Sequence, residues 1–217
     1  MDAPTQAELL RLRTDYRRAA LDEASVAADP HDQLARWLRE AIDASLTEPN
    51  AMTLATSTRD GDPSARVVLL KSLDDGRLSF FTNYDSAKGR QLVSNPRAAA
   101  VFYWPELERQ ARITGRVARL DRASSRTYFQ SRPEGARLSA WVSPQSQVVP
   151  DRAWLEAALE RLAGAPGIRL VEPPPHWGGY ALTPNSYEFW QGRPDRLHDR
   201  IRYRIEGEDW RIERLAP

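Results

Sequence analysis

The sequence predicts an α+β protein in which an antiparallel β-sheet closes into a barrel and helices lie around it. Two observations lead to this class. Short β-type runs, separated by turn signals such as Asp60-Gly61-Asp62-Pro63, fill the middle of the chain, and strands at this spacing are typical of a closed sheet. Segments with apolar residues at helical spacing flank these runs. We expect one domain over residues 1–217, with residues 1–45 as a helical N-terminal segment.

Two helices are predicted in the first 45 residues. Glu8 to Arg18 is highly charged and has leucines as its apolar content. The second helix follows Asp29-Pro30, a pair typical of an N-cap and a first turn. Its apolar residues share one stripe of the helix surface: Leu34, Trp37, Leu38 and Ile42.

The rest of the chain alternates between strands, helices and loops. Five strands are predicted first, at Met52–Thr56, Ala65–Leu73, Leu78–Thr82, Ala98–Trp104 and Ala111–Leu120. Helices are predicted at Ser86–Asn95, Arg122–Ser131 and Asp151–Gly164. Proline-containing loops are expected at 144–150 and 166–175. The tail returns to strands at Trp177–Leu182, Ser186–Trp190, Leu197–Ile205 and Asp209–Leu215.

Composition narrows the function classes. Lys and Arg number 31 against 30 acidic residues, giving a net charge of +1, so no basic field is present to collect nucleic acid. The absence of cysteine excludes disulfides, thiolate metal sites and cysteine nucleophiles. Three scattered histidines, His31, His176 and His198, indicate no metal centre. With no secretory signal and no long apolar run, we expect a cytoplasmic protein without a membrane partner.

The segment from Arg196 to Ile205 carries the strongest functional signal in the pattern. Read with a period of two, one strand face is cationic, through Arg196, His198, Arg200, Arg202 and Arg204. The other face is mainly apolar, through Leu197, Ile201, Tyr203 and Ile205. Arginine binds phosphate and carboxylate groups in a bidentate manner, so this face suits an anionic small ligand. A solvated edge strand whose charges prevent aggregation explains the pattern equally well.

A second cationic region lies at Arg66–Lys71, where an arginine and a lysine bracket an apolar stretch of predicted strand. Arg66 and Lys71 point to opposite faces of a regular strand. They would serve one pocket only across a bend, or else they would meet two different parts of one ligand. Snorkelling charges at strand ends are the alternative. Downstream, Thr82, Ser86 and Lys88 lie at a strand-to-helix junction, where backbone N–H groups and hydroxyls can hold a phosphate. Seven tryptophans add aromatic surface, which is more often core than a cofactor-stacking site.

Several short motifs spread along the chain resemble the pyridoxine 5′-phosphate oxidase family. They are Arg66-Val67-Val68-Leu69-Leu70-Lys71, Phe81-Thr82-Asn83, Leu107-Glu108-Arg109-Gln110, Ser131-Arg132-Pro133, Ala140-Trp141-Val142-Ser143-Pro144-Gln145-Ser146, Glu188-Phe189-Trp190-Gln191-Gly192 and Arg196-Leu197-His198-Asp199-Arg200. The resemblance runs from Leu12 to the terminal Arg214-Leu215-Ala216-Pro217. The last two motifs, with that ending, are highly specific.

The resemblance implies the FMN-binding split-barrel fold and a homodimer with FMN at the subunit interface. The implied reaction oxidises pyridoxine 5′-phosphate or pyridoxamine 5′-phosphate to pyridoxal 5′-phosphate, within vitamin B6 biosynthesis and salvage. A hydride leaves the 4′ carbon of the substrate for the flavin, and molecular oxygen is reduced to hydrogen peroxide. FMN is favoured over FAD because the sequence has no dinucleotide fingerprint.

The resemblance also implies roles for individual residues. Arg66 and Lys88 would hold the FMN phosphate, with Thr82 alongside. The rest of the flavin would meet Val67, Val68, Leu69, Leu70, Lys71, Phe81, Gln110, Gln145, Ser146, Trp190 and Arg200. The substrate would meet Arg13, Tyr16, Lys71, Tyr128, Arg132, Arg196, Leu197 and His198. Within that set, Lys71, Tyr128 and Arg132 would bind the substrate phosphate, and Arg196 and His198 would lie over the pyridine ring as the catalytic residues.

Four positions depart from the family pattern. Ala87 stands where an arginine often helps to hold the FMN phosphate, and Arg90 could compensate if the segment is helical. The other three changes are Ala136 for a serine, Glu48 for an aspartate and Thr14 for an arginine. They bear on affinity and on the N-terminal segment more than on the reaction.

Three rival functions remain open to the sequence. Two are enzymes of the same fold, a phenazine-biosynthesis oxidase and a deazaflavin-dependent reductase, and the intact Arg196-Leu197-His198 favours the pyridoxine phosphate reaction over both. The third is a protein that only stores flavin or pyridoxal phosphate. A bare flavin carrier needs no second anion site, so the retention of Lys71, Tyr128, Arg132 and Arg196 disfavours it.

Overall fold

The computed structural model describes residues 3–12, 15–165 and 170–217. The chain divides into two compact units. The smaller unit comprises Met1–Pro49, Tyr103–Ala111 and Tyr187–Pro217, and the larger unit comprises Asn50–Phe102 and Arg112–Ser186. The single domain expected over residues 1–217 stays a prediction.

Nine antiparallel strands and six helices form the described part of the chain. The strands are β1 (Ala51–Ser57), β2 (Pro63–Leu69), β3 (Ser72–Asp74), β4 (Arg77–Asn83), β5 (Arg97–Trp104), β6 (Arg109–Arg119), β7 (Trp177–Gln191), β8 (Asp199–Glu206) and β9 (Asp209–Arg214). The helices are α1 (Gln6–Arg11), α2 (Pro30–Asp43), α3 (Ala87–Ser94), α4 (Arg122–Ser131), α5 (Glu134–Val142) and α6 (Arg152–Ala163). The sheet order is β2-β1-β5-β6-β7-β4-β3, and β8 pairs with β7 and β9. The α+β class is confirmed.

Alternating burial explains why the strands of the larger unit form where they do. In β1, Met52, Leu54 and Thr56 are buried while the residues between them are more exposed. β5 alternates in the same way, and β1 pairs with both β2 and β5. A strand with this period covers the core with one face only. The core below it contains Phe80 and Phe102, both fully buried.

The smaller unit is built around aromatic side chains from α2, β7 and β8. Trp37 on α2 meets Phe189 edge-to-face at 5.1 Å between ring centroids, and Phe189 meets Tyr203 in the same way at 5.6 Å. Edge-to-face contacts suit the ring quadrupoles and add to the burial of large apolar surfaces. Asp29 caps α2 by accepting a hydrogen bond from the N–H of His31, as its sequence pattern predicts.

Two expectations for the N-terminal helices are wrong. Helix α1 ends at Arg11, and residues 15–18 are not helical. The leucines of this segment are exposed, so no tertiary packing stabilises a longer helix. In α2 the predicted stripe of Leu34, Trp37 and Leu38 is buried, but Ile42 is 47% exposed. Each four-residue step advances about 40° around a helix, which turns Ile42 away from the core.

Several other elements differ from the sequence prediction. The predicted strand Ala65–Leu73 is divided into β2 and β3, and the predicted strands at 177–182 and 186–190 are one continuous strand, β7. Helix α5 was not predicted, because only Leu138 of its residues is buried and its apolar spacing is weak. The strand predicted from Leu197 begins at Asp199, since Asp195 and Arg196 have positive φ angles of 54° and 60°. No helix among the described residues is both long enough and apolar enough to cross a membrane.

Candidate active site

A cavity of about 570 Å³ lies in the larger unit. Its walls come from β2 and the residues after it, β4, α3, α4 and the residue after it, the loop after α5, and β7. The lining residues are Arg66, Val67, Val68, Leu69, Lys71, Phe81, Thr82, Ala87, Lys88, Tyr128, Arg132, Gln145, Ser146 and Trp177. This volume is typical of small-molecule sites. Among the described residues that line it, four are cationic and none is a carboxylate. The cavity therefore suits an anionic ligand.

The break between β2 and β3 brings Arg66 and Lys71 to the same cavity. Leu70 occupies the break and is buried, and its N–H donates to the Asn50 carbonyl at 2.9 Å. The N–H of Lys71 donates to the Ser79 carbonyl at 2.8 Å. A regular strand would place the two cations on opposite faces, so the bend is what allows both to line one site.

Uncharged acceptors hold the Arg66 guanidinium. Its Nη1 donates to the Thr56 hydroxyl and to the Leu54 carbonyl at 3.4 Å, and its Nη2 lies 3.5 Å from Gln91 Oε1. Burial lowers the pKa of Arg66, but a guanidinium remains charged in proteins. Within the described part of the chain Arg66 forms no ion pair, so its charge stays available to a ligand.

Lys88 is buried and is held by neutral oxygens in the same way. Its Nζ donates to Thr82 Oγ1 at 3.1 Å, Ser86 Oγ at 3.3 Å and Gln145 Oε1 at 3.1 Å. Burial, and after it the charge of Arg66, lower the pKa of Lys88 to about 8. The ammonium is still mostly protonated at pH 7, and a bound anion would favour the protonated form further.

A second group of side chains lines the cavity from α4 and β7. Tyr128 stacks on Phe81 with ring centroids 3.9 Å apart, and Phe81 stacks on Trp177 at 5.6 Å. The guanidinium of Arg132 lies over the Trp177 ring at 4.9 Å. Arg132 Nη1 is buried without a hydrogen-bond partner among the described residues. An unpaired buried donor on a cation is costly, so this atom is suited to receive an acceptor from a ligand.

A different cluster, in the smaller unit, brings Tyr16, Trp190 and His198 together. The His198 ring lies 4.7 Å from the Trp190 ring and 5.7 Å from the Tyr16 ring. Tyr16 meets Trp190 edge-to-face at 5.5 Å, and it packs so closely on Gly192 that a Cβ at that position would collide with the ring. The three rings border a cavity of about 470 Å³, which Arg193 and Arg196 also line.

The backbone fixes the proton position on His198. The N–H of Arg193 donates to His198 Nδ1 at 3.1 Å, so Nδ1 is an acceptor and the neutral imidazole carries its proton on Nε2. Burial and the neighbouring Arg196 lower the pKa of His198, against the opposite effect of Asp199. The ring is therefore neutral at pH 7 and can donate one hydrogen bond from Nε2.

The structure places most of the predicted site residues in these two cavities. The predicted site residues that belong to the larger unit all line its cavity except Leu70, which is buried in the core. In the smaller unit, Tyr16, Trp190, Arg196 and His198 line the second cavity, whereas Gln110 does not and Leu197 is exposed. Arg13 lies outside the described residues. The roles given to all of these residues stay predictions.

The predicted cationic ladder is largely neutralised. Arg200 pairs with Glu188 at 2.8 Å and donates to the Ala216 carbonyl. Arg202 and Arg204 both pair with Glu213 on β9. Period-two reading places these arginines on one face, as predicted, and Ile201 and Tyr203 on the other, where they are buried. The sequence pattern could not show that acidic partners from neighbouring strands face them.

One of the four departures from the family pattern lies at the cavity of the larger unit. Ala87 lines that cavity. Arg90 is on helix α3, as its proposed compensation required, but its Nη1 donates to the Asp85 carbonyl and the side chain does not line the cavity. Glu48 has a positive φ of 47° and lies in the loop before β1. Ala136 is on α5, and Thr14 lies outside the described residues.

Sequence reasoning missed Thr56 and Gln91, which contact Arg66 from β1 and α3. It also did not assign Arg193, whose backbone fixes the His198 tautomer. No local motif marks these residues, because their contacts join segments far apart in the sequence. The available signal was the period-two register of β1, which puts Thr56 on the same face as Met52 and Leu54.

Comparison with known proteins identifies the family. A family model described as pyridoxamine 5′-phosphate oxidase matches residues 38–164. A second model, described as the pyridoxine 5′-phosphate oxidase C-terminal dimerisation region, matches residues 177–217. A relative from Cyanothece sp., named pyridoxine/pyridoxamine 5′-phosphate oxidase, is 53% identical over 206 residues, which is 95% of this chain and 97% of that protein.

Two solved structures resemble the chain. PhzG from Burkholderia lata 383, in complex with tetrahydrophenazine-1-carboxylic acid, is 36% identical with a TM-score of 0.85, covering 91% of this chain and 98% of that one. A pyridoxamine 5′-phosphate oxidase-related, FMN-binding protein from Nostoc punctiforme is 24% identical with a TM-score of 0.71, covering 89% and 99%. The second match confirms the expected split-barrel fold. The chain belongs to the pyridoxamine 5′-phosphate oxidase family.

Proposed function

We propose that the protein is an FMN-dependent oxidase. It oxidises pyridoxine 5′-phosphate, or pyridoxamine 5′-phosphate with uptake of water and release of ammonia, to pyridoxal 5′-phosphate. Molecular oxygen is reduced to hydrogen peroxide, and the product serves vitamin B6 biosynthesis and salvage. The names of its relatives support this reaction. A cytoplasmic location belongs to the same proposal.

The observation that carries the proposal is the charge of the larger cavity. Arg66, Lys71, Lys88 and Arg132 line it, and no carboxylate is among its described lining residues. A phosphate monoester carries a charge of about −1.5 to −2 at pH 7. Four cations therefore match two phosphate groups, one from the cofactor and one from the substrate, better than they match one.

The side chains present fit an FMN molecule. Arg66 and Lys88, with the Thr82 hydroxyl, would hold its terminal phosphate. Residues of β2 and of the loop after α5 would meet the rest of the flavin, together with Gln110, Trp190 and Arg200. When bound, FMN supplies the hydride-accepting and oxygen-reducing chemistry.

The substrate phosphate would be bound by Lys71, Tyr128 and Arg132, where Arg132 Nη1 needs an acceptor. Arg196 and His198 would orient the pyridine ring, and His198 would offer the proton on Nε2 to a polar group of the ring. Tyr16 and Trp190 would restrict the motion of the His198 ring through their contacts with it. Arg13 and Leu197 complete the proposed substrate set.

We propose that the active unit is a homodimer. The family model that matches residues 177–217 is described as a dimerisation region, and this range contains Trp190, Arg196, His198 and Arg200. In the proposed dimer a second copy of the chain supplies these residues to the larger cavity, with FMN at the subunit interface.

A direct assay tests the function. The purified protein is loaded with FMN and given pyridoxine 5′-phosphate or pyridoxamine 5′-phosphate in air. We expect pyridoxal 5′-phosphate, followed by absorbance, and an equal amount of hydrogen peroxide. Flavin-loaded protein that oxidises neither phosphate would refute the proposal.

A second candidate is oxidation of a phenazine precursor, favoured by the likeness to PhzG. The same assay with tetrahydrophenazine-1-carboxylic acid separates the two functions. That compound has a carboxylate but no phosphate, so it would offer Lys71 and Arg132 less negative charge and fewer acceptor oxygens than a phosphate monoester. We therefore expect it to be oxidised far more slowly than pyridoxamine 5′-phosphate.

A further inference from the structure

The hydrogen bonds around Arg66 form a chain that leads away from the cavity. Thr56 Oγ1 accepts from Arg66 Nη1 and donates to Gln91 Oε1 at 2.6 Å. Gln91 Nε2 donates to Ser64 Oγ at 3.0 Å. The Thr56 hydroxyl thus uses both its donor and its acceptor capacity. The Thr56 residue is buried, with 4% of its surface exposed.

This series of hydrogen bonds joins the two structural elements that carry Arg66 and Lys88. Arg66 is on β2, whereas Lys88 and Gln91 are on α3. Lys88 and Gln91 are three residues apart, so they lie on the same side of the helix. Through Thr56 and Gln91, the position of Arg66 is tied to the helix from which Lys88 projects.

The chemistry of the acceptors matters for the charge of the site. Thr56, Gln91 and the Leu54 carbonyl are neutral, so they orient the guanidinium without cancelling its charge. A carboxylate at the same place would form an ion pair and compete with a bound phosphate. Two cations held close together also repel one another, and hydrogen bonds to neutral oxygens offset part of the cost of their burial.

We propose that Thr56 and Gln91 are positioning residues that fix the Arg66 guanidinium in the orientation that binds the phosphate of the flavin. They act through Arg66 and do not contact the ligand. This inference rests on the proposed function, because it takes FMN as the bound anion. It predicts that the two residues control the preference for FMN over riboflavin, which lacks the phosphate.

The test measures the dissociation constants of FMN and riboflavin for the apoprotein, by quenching of flavin fluorescence. Thr56→Val removes the hydroxyl with little change in volume, and Gln91→Met removes the amide. We expect each to weaken FMN binding about tenfold, within the range for one hydrogen bond to a charged group, and to change riboflavin binding less than about twofold. Arg66→Ala removes the guanidinium itself, so it gives the upper limit for the loss of FMN affinity in the other two variants.

Two control variants and one spectroscopic measurement separate positioning from a general structural effect. Thr56→Ser retains the hydroxyl and should restore FMN binding. Thr114→Val removes a hydroxyl that donates to Asn185, and neither residue lines the cavity of the larger unit. This variant should leave the affinities for FMN and riboflavin unchanged. The ³¹P resonance of bound FMN should shift in Thr56→Val and not in Thr114→Val.

The outcomes distinguish this inference from the proposed function. Two results would overturn the positioning role: an equal loss of affinity for FMN and riboflavin in Thr56→Val, or unchanged FMN affinity in both Thr56→Val and Gln91→Met. If the parent protein still prefers FMN to riboflavin, the proposed function stands in either case. A parent that binds neither flavin would overturn both.

Discussion

At the residue scale, the groups that hold Arg66 and Lys88, two of the cavity's four cations, are uncharged. Arg66 is held by Leu54, Thr56 and Gln91, and Lys88 by Thr82, Ser86 and Gln145. Elsewhere in the chain, as at Arg200 and Arg202, arginines pair with glutamates. Because their partners are neutral, Arg66 and Lys88 keep the cavity positively charged. Both side chains are already held in place without a ligand, which reduces the cost of ordering the site on binding.

The lowered pKa of Lys88 gives FMN binding a defined pH dependence. The ammonium of the free protein loses its proton near pH 8, and a bound phosphate favours the protonated form. FMN affinity should therefore be steady from about pH 7 to 8 and should fall above that by up to about tenfold per pH unit. Lys88→Arg, which stays charged, should remove the fall.

Isothermal titration of FMN at several pH values measures this effect. Riboflavin is the matched ligand control, because its binding should not depend on Lys88. A dissociation constant for FMN that stays level to about pH 9.5 in the parent protein would show that Lys88 does not contact the phosphate.

Arg132 and Arg196 should have separable kinetic effects. Arg132 is proposed to bind the substrate phosphate in the ground state and the transition state alike, so Arg132→Ala should raise KM by about 10- to 100-fold. Turnover at saturation should change little. Arg196 is proposed to orient the reacting ring, so Arg196→Ala should lower turnover by up to about 100-fold.

Steady-state assays and anaerobic flavin reduction measure both variants. Arg126→Ala is the control, since Arg126 is on α4 near Arg132 but pairs with Glu172 at a half-exposed position. Slower flavin reduction at saturating substrate in Arg132→Ala, with normal reduction in Arg196→Ala, would reverse the two roles.

At the scale of elements, helix α3 sets the position of Lys88. Ser86 caps the helix by accepting from the N–H of Gly89 and also accepts from Lys88 Nζ. Gly89 lies so close to the backbone of Tyr84 that a Cβ would collide with its carbonyl oxygen. The helix can therefore begin beside the cavity only if residue 89 has no side chain.

Gly89→Ala should lower the free energy of unfolding by about 1 to 3 kcal/mol, the usual cost of overpacking. It should also weaken FMN binding, because the start of α3 must move. Gly135→Ala is the matched control: Gly135 is on α5 with open space around its Cα, and the change there should be neutral or slightly stabilising. Chemical denaturation measures both, and equal stabilities of the two variants would contradict the account of α3.

The elements that the sequence predicts well are those with a strong local signal. Helix α4 has its predicted bounds, and α3 and α6 lie within theirs, because Ser86, Asp121 and Asp151 are evident N-caps. The division of β2 from β3 and the weakly amphipathic α5 depend on tertiary packing, which local patterns do not report. For the site, the cations were recognisable from their motifs, but their partners were not. Glu188 and Glu213 neutralise arginines on β8 through pairings that only the folded sheet creates.

At the scale of the whole molecule, the proposed active site needs two copies of the chain. The dimer should dissociate on dilution together with loss of turnover, because a monomer would lack part of the flavin and substrate site. Sedimentation velocity and activity, measured over the same range of protein concentration, test the coupling. A flavin-loaded monomer with full activity would refute the shared site.

The central claim is that the larger cavity binds two phosphates, one on FMN and one on the substrate. The most direct measurement compares pyridoxamine 5′-phosphate with pyridoxamine as substrates of the FMN-loaded protein, by hydrogen peroxide formation. We predict that kcat/KM falls by at least about 100-fold when the phosphate is absent, because Lys71, Tyr128 and Arg132 then lose their shared ligand. Equal kcat/KM for the two compounds would contradict the claim.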